Sequence, residues 1–287
     1  MTVSSPEQAP PGDEQAPPPR LARAHERAQN KGPSRALYGL ARVVLTPPIR
    51  TPLRIRVAGR DHLPDAGPAI LGPNHKSFVD IFLIGIATRR QLRFMAKVEL
   101  FKGPLKWLLP RLGAFPVVRG HADAASFETA CAILEQGGVV VVFPEGTRVD
   151  QADALGTPHH GAGRLALATG APVVPVAIAG TANLLVGPFP KPRRVWVTFL
   201  APVEPDGSSD PVELIDEEVW PAVLDEYGRL SAVPGVVAAA LAAIGVGGGL
   251  IARRSARSEP RILGVVEPRR LRRRRARRAR LPRIVRR

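Results

Sequence analysis

Two stretches of the chain, Val139-Val140-Val141-Val142-Phe143 and Val173-Val174-Pro175-Val176-Ala177-Ile178, are apolar at every position. A strand with one face in water alternates apolar and polar residues, so a run without alternation marks a strand covered on both faces. That requirement points to a sheet sandwiched between helices. The surrounding pattern agrees. From residue 53, short β-type runs alternate with longer helical ones. The expected strands are Arg54–Ala58, Ala69–Gly72, Arg93–Lys97, Phe115–Val118, Val139–Phe143, Val173–Ala179 and Val195–Leu200. Helices are expected over Ser77–Thr88, Val98–Leu109, Asp123–Gln136, Gly161–Ala168 and Pro211–Tyr227. The fold class is therefore α/β, with a central, mostly parallel sheet flanked by helices.

The ends of the chain differ from this body. Residues 1–34 are rich in Pro, Gln, Ala and charge without an apolar period, and read as disordered. They contain no apolar core of a secretory signal, so the folded part is expected to stay on the cytoplasmic side. Residues 35–230 form the expected folded domain. It opens on an amphipathic helix, Ala36–Leu45, closed by Pro47-Pro48 and suited either to rest on a bilayer or to pack on the domain. Residues 231–252 are Ala/Gly-rich and uncharged. They read as an interfacial helix or flexible linker, with a single membrane span as the alternative. Of the net charge of +16, residues 253–287 supply +14, from 16 arginines against Glu259 and Glu267. The body is thus nearly neutral. The arginine tail contains no Phe, Tyr or Trp for base stacking, and its charge would draw it to an anionic membrane surface or, through counterion release, to nucleic acid. The one cysteine, Cys131, excludes an intramolecular disulfide.

Chemistry concentrates in two segments. Asn74-His75-Lys76-Ser77-Phe78-Val79-Asp80 follows the expected strand at 69–72, where α/β folds place their sites. With His75 in the entering loop and Asp80 in the first helical turn, the carboxylate reaches back to an imidazole N–H and leaves the other ring nitrogen free to take a proton. Ser77 and Asp80 also have capping-box spacing, in which Asp80 only bonds the Ser77 amide. The second segment, Pro144-Glu145-Gly146-Thr147-Arg148, is a polar turn directly after a buried strand. Its glycine permits close backbone approach to a ligand, and its arginine offers a fork suited to phosphate.

Together these segments resemble the glycerophospholipid acyltransferase family, whose bacterial members include 1-acylglycerol-3-phosphate acyltransferases. NHKSFVD (Asn74–Asp80), GAFPVVR (Gly113–Arg119), FPEGTR (Phe143–Arg148) and VVPVAIAGT (Val173–Thr181) match its four blocks in order and spacing. The resemblance implies His75 as catalytic base and Asp80 as its support. Asn74, Arg119, Glu145, Gly146, Thr147 and Arg148 would bind the acceptor, and Val174 and Pro175 would form part of the acyl-binding wall. It further implies a lysophospholipid acceptor and an acyl-CoA or acyl carrier protein thioester donor, with no cofactor and no metal. A lipid substrate in turn makes an anionic membrane surface, and not nucleic acid, the expected partner of the arginine tail. The expected product is phosphatidic acid, made at the cytoplasmic face of the cell membrane by a peripheral enzyme. Val149 and His159-His160 depart from the family's usual serine and basic residue. They leave open another lysolipid or glycolipid acceptor. A non-catalytic lipid- or nucleic-acid-binding protein on this scaffold is the remaining alternative.

Overall fold

The computed structural model describes residues 19–118, 123–149, 154–186, 189–206 and 210–232. The expected membrane span at 231–252 falls outside these except for its first two residues. The arginine tail at 253–287 falls outside them entirely.

A seven-stranded sheet organises the domain. Its strands are β1 (Leu53–Ala58), β2 (Ala69–Pro73), β3 (Leu92–Lys97), β4 (Ala114–Val117), β5 (Val139–Val141), β6 (Val173–Ala179) and β9 (Arg193–Phe199), with a separate small hairpin of β7 (Leu185–Val186) and β8 (Phe189–Pro190). The order across the sheet is β1-β9-β6-β2-β5-β3-β4. Neighbours run parallel except β6 and β9, which pair antiparallel. All seven strands coincide with expected runs, with ends moved by up to two residues. The hairpin was not expected.

The non-alternating runs are explained by what covers each face. Leu71, Val139, Val141, Val174, Val176 and Ile178 lie in one core with Leu83, Ile84 and Ala87 of α3 (Asp80–Ala87). Ile70, Val140 and Val173 lie in a second core with Ile133 and Leu134 of α5 (Ala124–Glu135) and Leu165 and Ala166 of α6 (Gly161–Thr169). Each fully buried Val, Leu or Ile contributes about 1.5–3 kcal/mol, so polar residues at either set of positions would cost the fold heavily.

Four helical expectations change. First, the span 1–34 contains an ordered helix, α1 (Pro19–Asn30). Its inward residues, Leu21, Ala24 and Ala28, sit against Phe101, Ala114 and the α5 side of the core. His25 and Gln29 both hydrogen bond to Thr129 of α5, at 2.8 and 3.0 Å. Small alanines give little hydrophobic signal, which hides this helix in the sequence. Second, α2 runs from Arg35 to Arg50, through Pro47-Pro48, and its last turn is closed by Thr51 on the Pro47 carbonyl. Third, α3 starts at Asp80, because Asp80 holds residues 76 and 77 in a turn ahead of it. Fourth, the helix expected over Val98–Leu109 is a 3-10 turn at Val98–Leu100 followed by α4 (Leu105–Arg111). At the C-terminal side, α7 (Pro211–Glu213) passes through a π-helical stretch, Leu214–Val219, into α8 (Trp220–Ser231). Among the described residues no helix is long and apolar enough to cross a membrane.

Candidate active site

The parallel neighbours β2 and β5 deliver the two informative segments to the same edge of the sheet, each just beyond its strand's C-terminal end. His75 and Asp80 meet there. Oδ2 of Asp80 accepts from Nδ1 of His75 at 3.0 Å and from the backbone amides of Lys76 and Ser77 at 2.7 Å each. One oxygen therefore performs both tasks that the sequence offered as alternatives, orienting the imidazole and closing the turn ahead of α3. A carboxylate only accepts, so the imidazole proton sits on Nδ1 and the lone pair on Nε2 is free. Asp80 is wholly buried, and its Oδ1 has no hydrogen-bond partner. The imidazole stacks on Phe143, with ring centroids 4.1 Å apart.

Glu145 fixes the histidine from the other side. Its Oε2 accepts the backbone amide of His75 at 2.5 Å, and its Oε1 accepts the amide of Gly156 at 2.7 Å. The His75 carbonyl in turn accepts the amide of Val149 at 3.0 Å. Burial pushes the Glu145 carboxyl above the usual carboxylate range, against the opposing pull of those two amides and of Lys76 and His75. With both oxygens engaged and little exposure, Glu145 positions the histidine loop; it does not face an acceptor as the sequence suggested.

The turn that follows is tight and leaves its polar side chains outward. Gly146 sits at φ +64°, and a Cβ there would lie 3.0 Å from Cδ2 of His159, so glycine is required both by the backbone and by the ring beside it. Thr147 and Arg148 are exposed, and among the described residues the Arg148 guanidinium has no ion-pair partner. His160 pairs with Asp216 of the π-helical stretch at 3.1 Å. Arg119, expected at this site, lies outside the described residues.

Two further expectations are corrected. The Asn74 side chain is wholly buried and spends its amide on the backbone of Ile178, donating to its carbonyl at 3.0 Å and accepting its amide at 2.7 Å. It ties the end of β2 to β6 and is not available to a substrate. Val174 and Pro175 are adjacent on β6 and so point to opposite faces. Val174 is enclosed in the α3-side core, whereas Pro175 borders an open groove with Leu200, Pro202 and Ala222. They do not form one wall. The sequence also missed three contributors. Phe143 supplies the stacking ring, and Gly156 supplies an amide. Lys76, buried next to the catalytic loop, donates from Nζ to the Ala154 carbonyl. Phe143 was in view as part of FPEGTR; nothing in the sequence marks Gly156. Among the described residues no group of His, Cys, Asp and Glu is arranged to hold a metal ion.

The acyltransferase family model matches residues 54–179, which include this whole constellation except Asp216. Over these residues the chain is similar to the acyltransferase family. The chain is 32% identical to a 1-acyl-sn-glycerol-3-phosphate acyltransferase of Bacillus subtilis, over 45% of this chain and 64% of that protein. It is 30% identical to a chloroplastic 1-acyl-sn-glycerol-3-phosphate acyltransferase of Arabidopsis thaliana, over 46% of this chain and 38% of that one. Its fold matches the crystal structure of the 1-acyl-sn-glycerophosphate acyltransferase PlsC from Thermotoga maritima, with a TM-score of 0.55 and 27% identity, covering 74% of this chain and 80% of that chain. The chain spans less than two thirds of the length of these curated relatives.

Proposed function

We propose that this acyltransferase esterifies the sn-2 hydroxyl of 1-acylglycerol-3-phosphate from an acyl thioester, giving phosphatidic acid. The observation that carries the reading is the bond between His75 Nδ1 and the buried Asp80 carboxylate, which leaves Nε2 free at the sheet edge where Arg148 is exposed. In the proposed step, Nε2 takes the proton of the acceptor hydroxyl as its oxygen attacks the thioester carbonyl. The new ester C–O bond forms, the C–S bond breaks, and the leaving thiolate receives the proton from the imidazolium. Asp80 stabilises that imidazolium. A positioned base of this kind is worth about 10²–10⁴ in rate. Thr147 and Arg148 with the Gly146 turn hold the acceptor phosphate, and Arg119 joins them by its place in the motif. The donor is acyl-CoA or acyl carrier protein, and no cofactor is needed.

Access to a lipid is supported by α2, which buries no residue and turns Leu40, Val43 and Val44 to solvent. Phe78, half exposed in the loop between His75 and Asp80, packs edge-on against Phe82 and offers the nearest apolar surface for an acyl chain. This fits a peripheral enzyme seated on the cytoplasmic side of the cell membrane. A different lysolipid acceptor is favoured by one observation: the exposed His159 ring against Gly146, since histidine contacts phosphate well only when protonated. The test is thioester-dependent acylation of lysophosphatidic acid by purified protein. Wild type should give phosphatidic acid and His75→Ala at least about a hundredfold less. Equal rates would remove His75 as the base, and activity only on other lysolipids would replace the acceptor.

A further inference from the structure

Three arginines converge where α1, β3 and α4 meet, well away from the catalytic edge. Arg93, the second residue of β3, carries its guanidinium under the turn between α1 and α2. A Cβ on Gly32 in that turn would lie 2.4 Å from Nη2 of Arg93, so the space is reserved for the guanidinium. Arg27 of α1 stands beside it, and Arg111, in the last turn of α4, stands next to Arg27. The backbone is knitted around the group. The Arg27 carbonyl accepts the amides of Lys31 and Gly32, and the Arg111 carbonyl accepts the amide of Ser34.

What is missing is a counter-charge. Among the described residues no Asp or Glu pairs with any of the three. Nε of Arg27 and Nη1 of Arg93 are buried without a hydrogen-bond partner. Burial, and then the charge of Arg27, bring Arg93 down to about 10, so it still carries its proton at neutral pH. Arg111, which already donates to the Trp107 carbonyl, adds a third charge of the same sign beside these two half-buried groups. Gathering like charges out of water is costly, and an anion from outside would offset that cost. Guanidinium forks from separate elements suit an acceptor with several oxygens, which is the geometry of phosphate.

We infer that Arg27, Arg93 and Arg111 form a second anion site, distinct from the acceptor site, that takes the phosphate of an anionic phospholipid headgroup. The surroundings select a lipid source. Trp107, 54% exposed, carries the Arg111 guanidinium over its ring at 4.1 Å, and Leu105, at the start of the same helix, is also exposed. Exposed aromatic residues beside cations are suited to the headgroup level of a bilayer. The outward apolar face of α2 begins just past Ser34. The Tyr38 hydroxyl, which accepts the Leu92 amide at 3.2 Å, lies close to Arg93 and keeps its own proton available for an acceptor oxygen. The site is not the acceptor pocket. Arg93 stands four residues before the catalytic end of β3, about 13 Å along the strand.

The test is thermal unfolding of the full chain with dihexanoylphosphatidylglycerol, a soluble anionic lipid, and separately with inorganic phosphate. The lipid should raise the wild-type midpoint in a saturable way. Arg27→Gln and Arg93→Gln should each require at least about tenfold more lipid for the same rise. An equal rise with inorganic phosphate would keep the site and replace the lipid by phosphate itself as its ligand. Arg93→Gln removes a crowded charge and should unfold no earlier than wild type without ligand; if it fails to fold, Arg27→Gln carries the comparison. Variants that respond like wild type, or a wild type that responds to neither probe, would overturn the site. So would loss of the response in Arg148→Ala, because that result would assign the effect to the acceptor turn.

Discussion

Replacing Asp80 by asparagine keeps the shape of the side chain and removes its charge. In the wild type Oδ2 accepts three N–H groups, from His75, Lys76 and Ser77, while Oδ1 has no partner. An asparagine oxygen in the Oδ2 position retains the two backbone bonds, so the turn ahead of α3 persists. Its NH2 then occupies the buried Oδ1 position, where no acceptor waits, at a cost of about 1–3 kcal/mol in stability. Catalysis loses more. When His75 takes the acceptor proton, the imidazolium faces an amide in place of a carboxylate. Two unit charges about 4 Å apart at an effective dielectric of about 20 attract by roughly 4 kcal/mol, which is about a thousandfold in rate. The expected result is kcat lower by about 10³ with KM for the acceptor nearly unchanged. It is read by thiol release from the acyl thioester, alongside a melting curve showing a folded variant. A folded Asp80→Asn enzyme within about tenfold of the wild-type kcat would refute the idea that this pair supports a charged intermediate.

Gly146→Ala should raise KM for the acceptor more than it lowers kcat, and should cost about 1–2 kcal/mol, because it forces an L-residue to φ +64° against the His159 ring; steady-state kinetics and denaturant melts check both. Glu145→Gln should change the pH dependence of stability. The folded carboxyl is raised, so its stabilising contribution is present below its ordinary value of about 4.3 and is lost as pH rises through the higher folded value. Melts between about pH 4 and 8 should therefore show the variant gaining on wild type as pH rises, and a constant difference would refute this. Leu71→Ala, at a fully buried position in the α3-side core, should destabilise by about 2–5 kcal/mol in urea titrations.

What could be read from the sequence was what depends on neighbours in the chain. The seven sheet strands were legible because β-branched apolar runs are local. The His75–Asp80 contact was legible only as one of two local readings, since the same spacing also offered Asp80 as a cap for Ser77. The reversal of β9 against β6 was not legible, since it depends on a pairing across the sheet that no local pattern encodes. The same reason hid the role of Asn74. Its partner, Ile178, is 104 residues away, and an asparagine beside a histidine looks equally like a ligand-binding group. Glu145 was found but misassigned, because a carboxylate committed to two backbone amides is indistinguishable in sequence from one facing a substrate. Helix α1 escaped for a different reason, its buried face being mostly alanine.

The backbone of His75 is held at both of its polar groups by the segment after β5, its amide by Glu145 and its carbonyl by Val149. The proposed base and the proposed acceptor turn are consequently one mechanical part, although they lie 70 residues apart in the chain. Recutting residues 145–149 to admit a new headgroup would drag the imidazole with it. Acceptor choice and turnover in this scaffold therefore do not form independent axes for engineering. A change in one is inherited by the other unless the two backbone bonds to His75 are preserved.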